Sequence, residues 1–212
     1  MVQKRQIPAP SVERLCRYER CLARAVHAGM SRISSQELAA LCGVTPEQVR
    51  KDLSHFGSFG RRGVGYDASS LCEHLRRILG LERKRRIAIV GVGNLGTALA
   101  GYAGFEARGF EVVGLYDNNP ARIGHLVQGM RVRHIDELAS DNQREKIDIA
   151  VLAVPESAAQ AAASRVVAAG IRGILNFAPT RLKVPEHVVV RDVDMTAELE
   201  CLSFWVGQAE EV

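Results

Sequence analysis

Apolar positions recur at helical spacings over the first 80 residues and gather into short strand-length runs afterwards, so the period itself divides the chain. Val12, Leu15, Leu22, Ala25 and Val26 give a helix over 11–28 an apolar face, and Gly29 supplies its stop. Ser34, three residues before Glu37, has the pattern of a capping box; Leu38, Ala39 and Leu41 follow, and Gly43 ends this two-turn helix at Cys42. Thr45-Pro46-Glu47-Gln48 opens the next helix, with a hydroxyl at the N-cap and proline at the first helical position, and it is expected to run to about His55. An amphipathic helix is expected over 69–79, and the charge-rich stretch 80–86 reads as a linker.

Beyond it, Ile87-Ala88-Ile89-Val90 and 112–117 are apolar runs of strand length, and further strands are expected at 147–154, 173–176 and 188–191. Helical stretches such as 157–169 separate them, which predicts a parallel sheet. The last helix, over 194–207, carries Leu199, Leu202 and Trp205 as an apolar stripe. Either its own sheet or a second copy of the chain must cover that stripe, and the second would make a homodimer.

Charge sharpens the division. Residues 1–86 hold 17 Lys and Arg against 8 Asp and Glu, a net of +9, while residues 87–212 hold 11 against 16, a net of −5. The first half is suited to a polyanion such as nucleic acid, unless its basic face is merely solvated. With 47% apolar residues in 212 the chain can bury a core, no run approaches 18 apolar residues, and a cytoplasmic location is expected with no membrane partner. Five separated cysteines, 16, 21, 42, 72 and 201, suggest neither a disulfide framework nor a zinc site. A thiol switch of Cys16 with Cys21 is disfavoured, because five residues apart on one helix they point differently.

The two short helices joined by Cys42-Gly43-Val44 form a helix-turn-helix pattern. If Val49, Leu53 and Phe56 face inward, then Gln48, Arg50, Lys51 and Ser54 face away and can meet a DNA groove, Gln and Arg at base edges and Lys and Ser at phosphates. An exposed Glu47/Arg50 pair on a solvated helix is the plainer reading. Residues 56–66 interleave four glycines with three aromatics and with Arg61 and Arg62, as a β-hairpin wing would, its arginine tip fit for a minor groove or for phosphates.

Gly91-Val92-Gly93-Asn94-Leu95-Gly96 directly follows a strand and opens a helix, and Asp117 closes the next strand 21 positions after the last glycine. That context makes a dinucleotide fingerprint: Gly91 turns, Gly93 admits the pyrophosphate, Gly96 lets helix and strand pack, and free N–H groups meet phosphate. Asp117 would accept the adenosine ribose hydroxyls and repel a 2′-phosphate, favouring NAD over NADP; folds of this kind also hold coenzyme A, a mononucleotide or nothing. No catalytic acid or base is recognisable, and the six histidines show no metal spacing. His134 and His187 are expected in surface loops.

The expected fold is therefore α/β: an N-terminal winged helix-turn-helix domain (1–80), a Rossmann-type parallel-sheet domain (81–193) and a C-terminal helix (194–212). Arg32-Ile33-Ser34-Ser35, Val49-Arg50-Lys51-Asp52-Leu53-Ser54 with Phe56-Gly57, Arg62-Gly63-Val64-Gly65-Tyr66 and Gly91 to Gly96 together resemble the redox-sensing transcriptional repressors of the Rex family. The likeness continues through Tyr102, Gly104-Phe105, His134-Ile135-Asp136-Glu137-Leu138, Asn176-Phe177-Ala178-Pro179 and Val193-Asp194-Met195-Thr196. It implies a homodimer with C-terminal helices swapped between subunits, which binds operator DNA when NADH is scarce and is released by NADH, NAD+ competing for the same site. It also implies an interdomain charge pair of Arg20 with Asp194, and Tyr102 and Phe105 at the nicotinamide. Cys16 stands where members commonly have proline, and Glu19 where they commonly have a second tyrosine. The competing readings are a small NAD-dependent enzyme with a basic appendage and a repressor that senses another nucleotide, such as coenzyme A.

Overall fold

Pro8 and Pro10 set where the first helix begins, since proline fits the opening turn of a helix, whose N–H groups have no partner there. The structure, a computed structural model, describes residues 7–57, 59 and 65–210, and the chain divides into two units, Met1–Arg83 and Lys84–Val212. In the first unit α1 (Ala9–His27) is followed by β1 (Arg32–Ile33), α2 (Ser35–Cys42), α3 (Pro46–Ser54), β2 (Tyr66–Asp67) and α4 (Ala68–Ile78). Their core gathers Leu15, Tyr18 and Leu22 of α1 with Leu38, Val49, Leu53, Leu71 and Leu75.

The local signals at the helix ends are realised. Ser34 Oγ accepts the Glu37 N–H at 3.1 Å while the Ser34 N–H donates to Glu37 Oε2 at 2.7 Å, and Gly43 ends α2 in the left-handed region at φ 63°. Thr45 Oγ1 accepts the Gln48 N–H at 3.2 Å. The Gln48 side chain, however, turns to Asp52 Oδ1 at 2.9 Å. Asp52 is buried and also accepts Arg14 Nε at 2.6 Å, Arg14 Nη2 at 2.8 Å and the Tyr18 hydroxyl at 2.9 Å. A buried carboxylate is tolerated because every donor around it is aimed at it, and the result fastens α3 to α1. Of the wing expected over 56–66, β2 pairs antiparallel with β1, Ile33 opposite Tyr66; Arg61 and Arg62 lie outside the described residues.

In the second unit β3 (Arg85–Val90), α5 (Asn94–Ala100), α6 (Ala103–Ala107) and β4 (Phe110–Asp117) come first. The short β5 (Leu126–Val127), β6 (Met130–His134), a 3₁₀ turn (Ile135–Glu137), α7 (Leu138–Glu145), β7 (Ile149–Leu152) and α8 (Glu156–Ala168) follow. The unit closes with β8 (Gly173–Asn176), β9 (Val189–Asp192) and α9 (Met195–Glu210). Among the described residues the sheet order is β5-β6-β4-β3-β7-β8-β9, parallel apart from β5. Without β5 this is the doubly wound order of a Rossmann fold, with its reversal between β3 and β7. Ile87 and Ile89 enter one core while Ala88 and Val90 enter the other, which explains why β3 reads as an unbroken apolar run.

One expectation needs correction, and one open alternative is narrowed. Arg85 and Arg86 belong to β3 and not to a linker: they pair in register with Phe110 and Glu111, and their charges meet Asp148 and Glu145 from across the sheet. Leu199, Leu202 and Trp205 are not covered by the chain's own sheet; each is more than half exposed on α9.

The Asp52 cluster yields a stability prediction. Burial alone would raise the Asp52 carboxyl, but hydrogen bonds from Arg14, Tyr18, Ser11 and Gln48 hold it below the 3.8 of a free aspartate. Its stabilisation is therefore complete above that pH and is lost as pH falls through the lower native value. Asp52→Asn should cost about 3 kcal/mol and lower the melting midpoint of the first unit by roughly 15 °C at neutral pH. Circular-dichroism melts between pH 7 and 2 should also show that the variant lacks part of the acid-induced loss seen in the parent.

Candidate functional site

At the end of β3 the chain turns at Gly91, where φ is 92° and a Cβ would lie 2.5 Å from the Ala153 carbonyl oxygen. The Gly91 N–H donates to the Tyr116 carbonyl at 2.8 Å, and the next amide, Val92, donates to Asp117 Oδ2 at 2.8 Å. The acid that closes β4 thus braces the glycine loop that follows β3. Asp117 also accepts the Asn119 N–H at 2.9 Å and Arg122 Nη1 at 3.2 Å, and it is only 5% exposed. Burial pushes its carboxyl up, yet the backbone donors Asn119 and Val92, with Arg122, hold it below the ordinary aspartate value.

Gly96 answers a packing constraint. A Cβ there would sit 1.9 Å from the Gly91 carbonyl oxygen, so only glycine lets α5 pack against the end of β3. Gly93 faces more space; a Cβ there would stand 3.6 Å from Arg122 Nη1, which places the guanidinium over the loop. The loop opens on a cleft of about 590 Å³ at the C-terminal ends of β3, β4, β6 and β7. That is where a doubly wound sheet receives ligands. Asp117, Arg122, His134, Asp136, Ala153 and Arg165 are among its walls. Arg165 is paired with Asp136, and His134 Nδ1 accepts the Asp136 N–H at 3.2 Å.

Beyond α5, Tyr102 is 59% exposed and its ring meets Phe105 edge-on with centroids 5.2 Å apart. Gly104 makes room for that ring, since a Cβ there would fall 2.4 Å from it. In the first unit, Val49 and Leu53 of α3 are buried while Arg50, Lys51 and Ser54 are exposed. Arg50 donates to Glu47 at 2.6 Å and to Ser35 Oγ at 2.9 Å, and the Ser54 hydroxyl donates to the Lys51 carbonyl at 2.7 Å.

Comparison with known proteins gives one consistent result. A family model described as "CoA binding domain" matches residues 82–180, and one described as "Putative DNA-binding protein N-terminus" matches residues 6–54. The redox-sensing transcriptional repressor Rex of Carboxydothermus hydrogenoformans is 46% identical over 94% of this chain and 96% of its own. A Rex of Thermus thermophilus is 49% identical over 94% and 93%. Among solved structures, RSP in complex with β-NAD+ and operator DNA is 39% identical, with TM-score 0.91 over 98% of this chain and 95% of that one. RSP in complex with β-NADH is 37% identical, with TM-score 0.86 over 98% and 97%.

The chain belongs to the Rex family of redox-sensing transcriptional repressors. A Rex is a transcriptional repressor rather than an enzyme, which answers the absence of a recognisable catalytic group.

Against that background the residues singled out in the sequence fall into groups. Gly91 to Gly96 and Asp117 are brought together by the Val92 and Gly91 amides, and Tyr102 touches Phe105. Gln48 differs from the other expected DNA-facing residues of α3, being half-buried with its amide committed to Asp52. Arg20 is exposed on α1. Asp194 caps α9, its Oδ1 accepting the Thr196 and Ala197 N–H groups at 3.0 and 3.1 Å.

Sequence reasoning missed Arg122, Asp136 and Arg165 in the cleft, and it put His134 in a surface loop. His134 is the last residue of β6 and lies in register with Asp117. The signal for Arg122 was present in Asp117-Asn118-Asn119-Pro120, a turn that brings a cation five residues on back to the acid. Its presence partly neutralises Asp117, so the charge of the acid alone does not set a preference for NAD over NADP.

The two glycines separate space from fold. Gly96→Ala should cost about 3 kcal/mol or more, whereas Gly93→Ala, with the flexible end of Arg122 as its neighbour, should stay within about 1 kcal/mol of the parent. Calorimetric unfolding of both variants checks the contrast.

Proposed function

We propose that the chain is a cytoplasmic homodimeric repressor that binds operator DNA through residues 1–80 and lets it go when NADH fills the cleft in residues 81–193, NAD+ competing for the same place. One observation carries this reading: a near-full-length likeness to RSP, itself solved with β-NAD+ and operator DNA and with β-NADH. That likeness favours NADH over coenzyme A, although one family model is described for the latter.

In this reading Asp117 accepts the adenosine ribose hydroxyls and the loop amides beyond Val92 meet the pyrophosphate, with Arg122 above them. Only the ring end distinguishes the two redox forms. An apolar pocket closed over the ring by Tyr102 and Phe105 would disfavour the pyridinium cation, because burying an unpaired charge is costly. A preference of about 100-fold for NADH needs only about 2.7 kcal/mol. Arg50, Lys51 and Ser54, Gln48 through whatever bond Asp52 leaves it, and Arg61 and Arg62 contact DNA. The C-terminal segment 194–212, which contains α9, is swapped between subunits, and the second copy covers the exposed Leu199, Leu202 and Trp205. No helix among the described residues is long and apolar enough to cross a membrane.

The switch is a change of partner at Asp194. It caps α9 in one arrangement and pairs with Arg20 in the other, so that NADH, by favouring one arrangement, alters the presentation of two recognition helices.

Fluorescence anisotropy on a palindromic operator at fixed salt tests the function. NADH should weaken binding by about tenfold or more while NAD+ leaves it nearly unchanged; equal affinity in both would overturn the redox reading. Asp194→Ala should keep NADH affinity within about twofold and lose NADH control of the operator, a change of coupling energy rather than of binding. Leu199→Glu with Trp205→Glu should convert the dimer to monomer in light scattering.

A further inference from the structure

We propose that Cys21 and Cys42 are a disulfide-forming pair, oxidised by a hydroperoxide and reopened by thiols, in the helix-turn-helix half of the chain. The two residues are 21 positions apart, on α1 and at the last position of α2. Across the contact of these helices the Cys21 thiol faces the Leu41 carbonyl at 3.5 Å, and the Cys42 thiol faces the carbonyl of Arg17 at 4.0 Å, one turn before Cys21. Each sulfur is thus directed at the backbone beside the other cysteine. Cys16, the nearest cysteine to Cys21 along the chain, is exposed on another face of α1.

The surroundings divide the labour. Burial pushes the Cys42 thiol up to about 12, with the neighbouring Cys21 thiol adding to the effect, so Cys42 remains protonated. Cys21 is half-buried and reachable from solvent. Arg17, whose Nη1 donates to the Cys42 carbonyl at 3.2 Å, sets a cation beside Cys42.

In the first step the Cys21 thiolate attacks one oxygen of the hydroperoxide. The O–O bond breaks, the alkoxide or hydroxide leaves and takes up a proton, and Cys21 becomes a sulfenic acid. In the second, Cys42 sulfur attacks that sulfenic sulfur; an S–S bond forms, the S–O bond breaks, and the hydroxide leaves with the Cys42 proton as water. Each sulfur has lost one electron and the peroxide has gained two.

The bond has a consequence for the recognition helix. Closing two sulfurs to about 2.0 Å draws the end of α2 toward α1. Cys42 adjoins Gly43, the turn that leads into α3, while α3 stays fastened to α1 through Asp52. Oxidation should therefore distort the α2-turn-α3 pair. The bond itself is independent of the dinucleotide reading; only its effect on the operator rests on the DNA-binding reading.

The test treats reduced full-length protein with a small excess of hydrogen peroxide, blocks remaining thiols by alkylation in denaturant, and maps the peptides without reduction. The expected result is a loss of about 2 Da, one linked peptide pair containing Cys21 and Cys42, alkylation of Cys16, Cys72 and Cys201, and full reversal by dithiothreitol. Persistence of alkylatable Cys21 and Cys42, or linkage of either to another cysteine, would overturn the proposal. Operator affinity should fall about tenfold in the oxidised protein and not in peroxide-treated Cys21→Ser, whose half-buried site tolerates serine. A bond that forms without changing operator affinity would overturn its role as a switch while leaving the NADH reading untouched.

Discussion

The carboxylate of Asp117, buried at the end of β4 and bonded to the Val92 amide at 2.8 Å, is the contact on which the second unit's function depends. It joins the ends of the adjacent strands β3 and β4, next to the point between β3 and β7 where the order of the sheet reverses. The glycine loop can then present its next amides outward, because its first two are already bonded to Tyr116 and Asp117. Asp52 plays the same part in the first unit, fastening α3 to α1 through Arg14 and Tyr18. In both, an acid that would be costly to bury alone is held by several donors, and the result is position: of α3 in one unit, of the glycine loop in the other.

The readable parts of this sequence are those whose cause is local. The Ser34/Glu37 box, the Thr45-Pro46 start, the turn at Gly43 and the strand-glycine-helix pattern at 87–96 each depend on residues a few positions apart, and each is found. The unread parts depend on distant partners. Met130–His134 buries only Val132, so β6 offers no apolar run, and its strand state comes from pairing with β4. Arg85 and Arg86 look like linker charges until Asp148 and Glu145, about sixty residues away, are placed beside them. Gln48 reads as facing away only while Asp52 reads as a surface residue; Asp52 is in fact the buried centre of its cluster.

The candidate site follows the same rule. Gly91 to Gly96 and Asp117 were legible because the fingerprint is a spacing, whereas the far walls of the cleft, His134, Asp136 and Arg165, are assembled by the sheet. The pairing of Cys21 with Cys42 is likewise invisible in the chain, where the nearer cysteine is Cys16. What the sequence did carry at long range was charge, +9 ahead of −5, and that asymmetry is the simplest sign that the first half suits a polyanion and the second does not.

The central claim is that occupancy of the cleft and binding of the operator are linked through one equilibrium, and such linkage must act in both directions. The most direct measurement is the NADH dissociation constant, determined by titration in the absence of operator and again with operator saturating, at the same salt. The account predicts that operator weakens NADH binding by the same factor by which NADH weakens operator binding. An NADH affinity unaffected by saturating operator would contradict it.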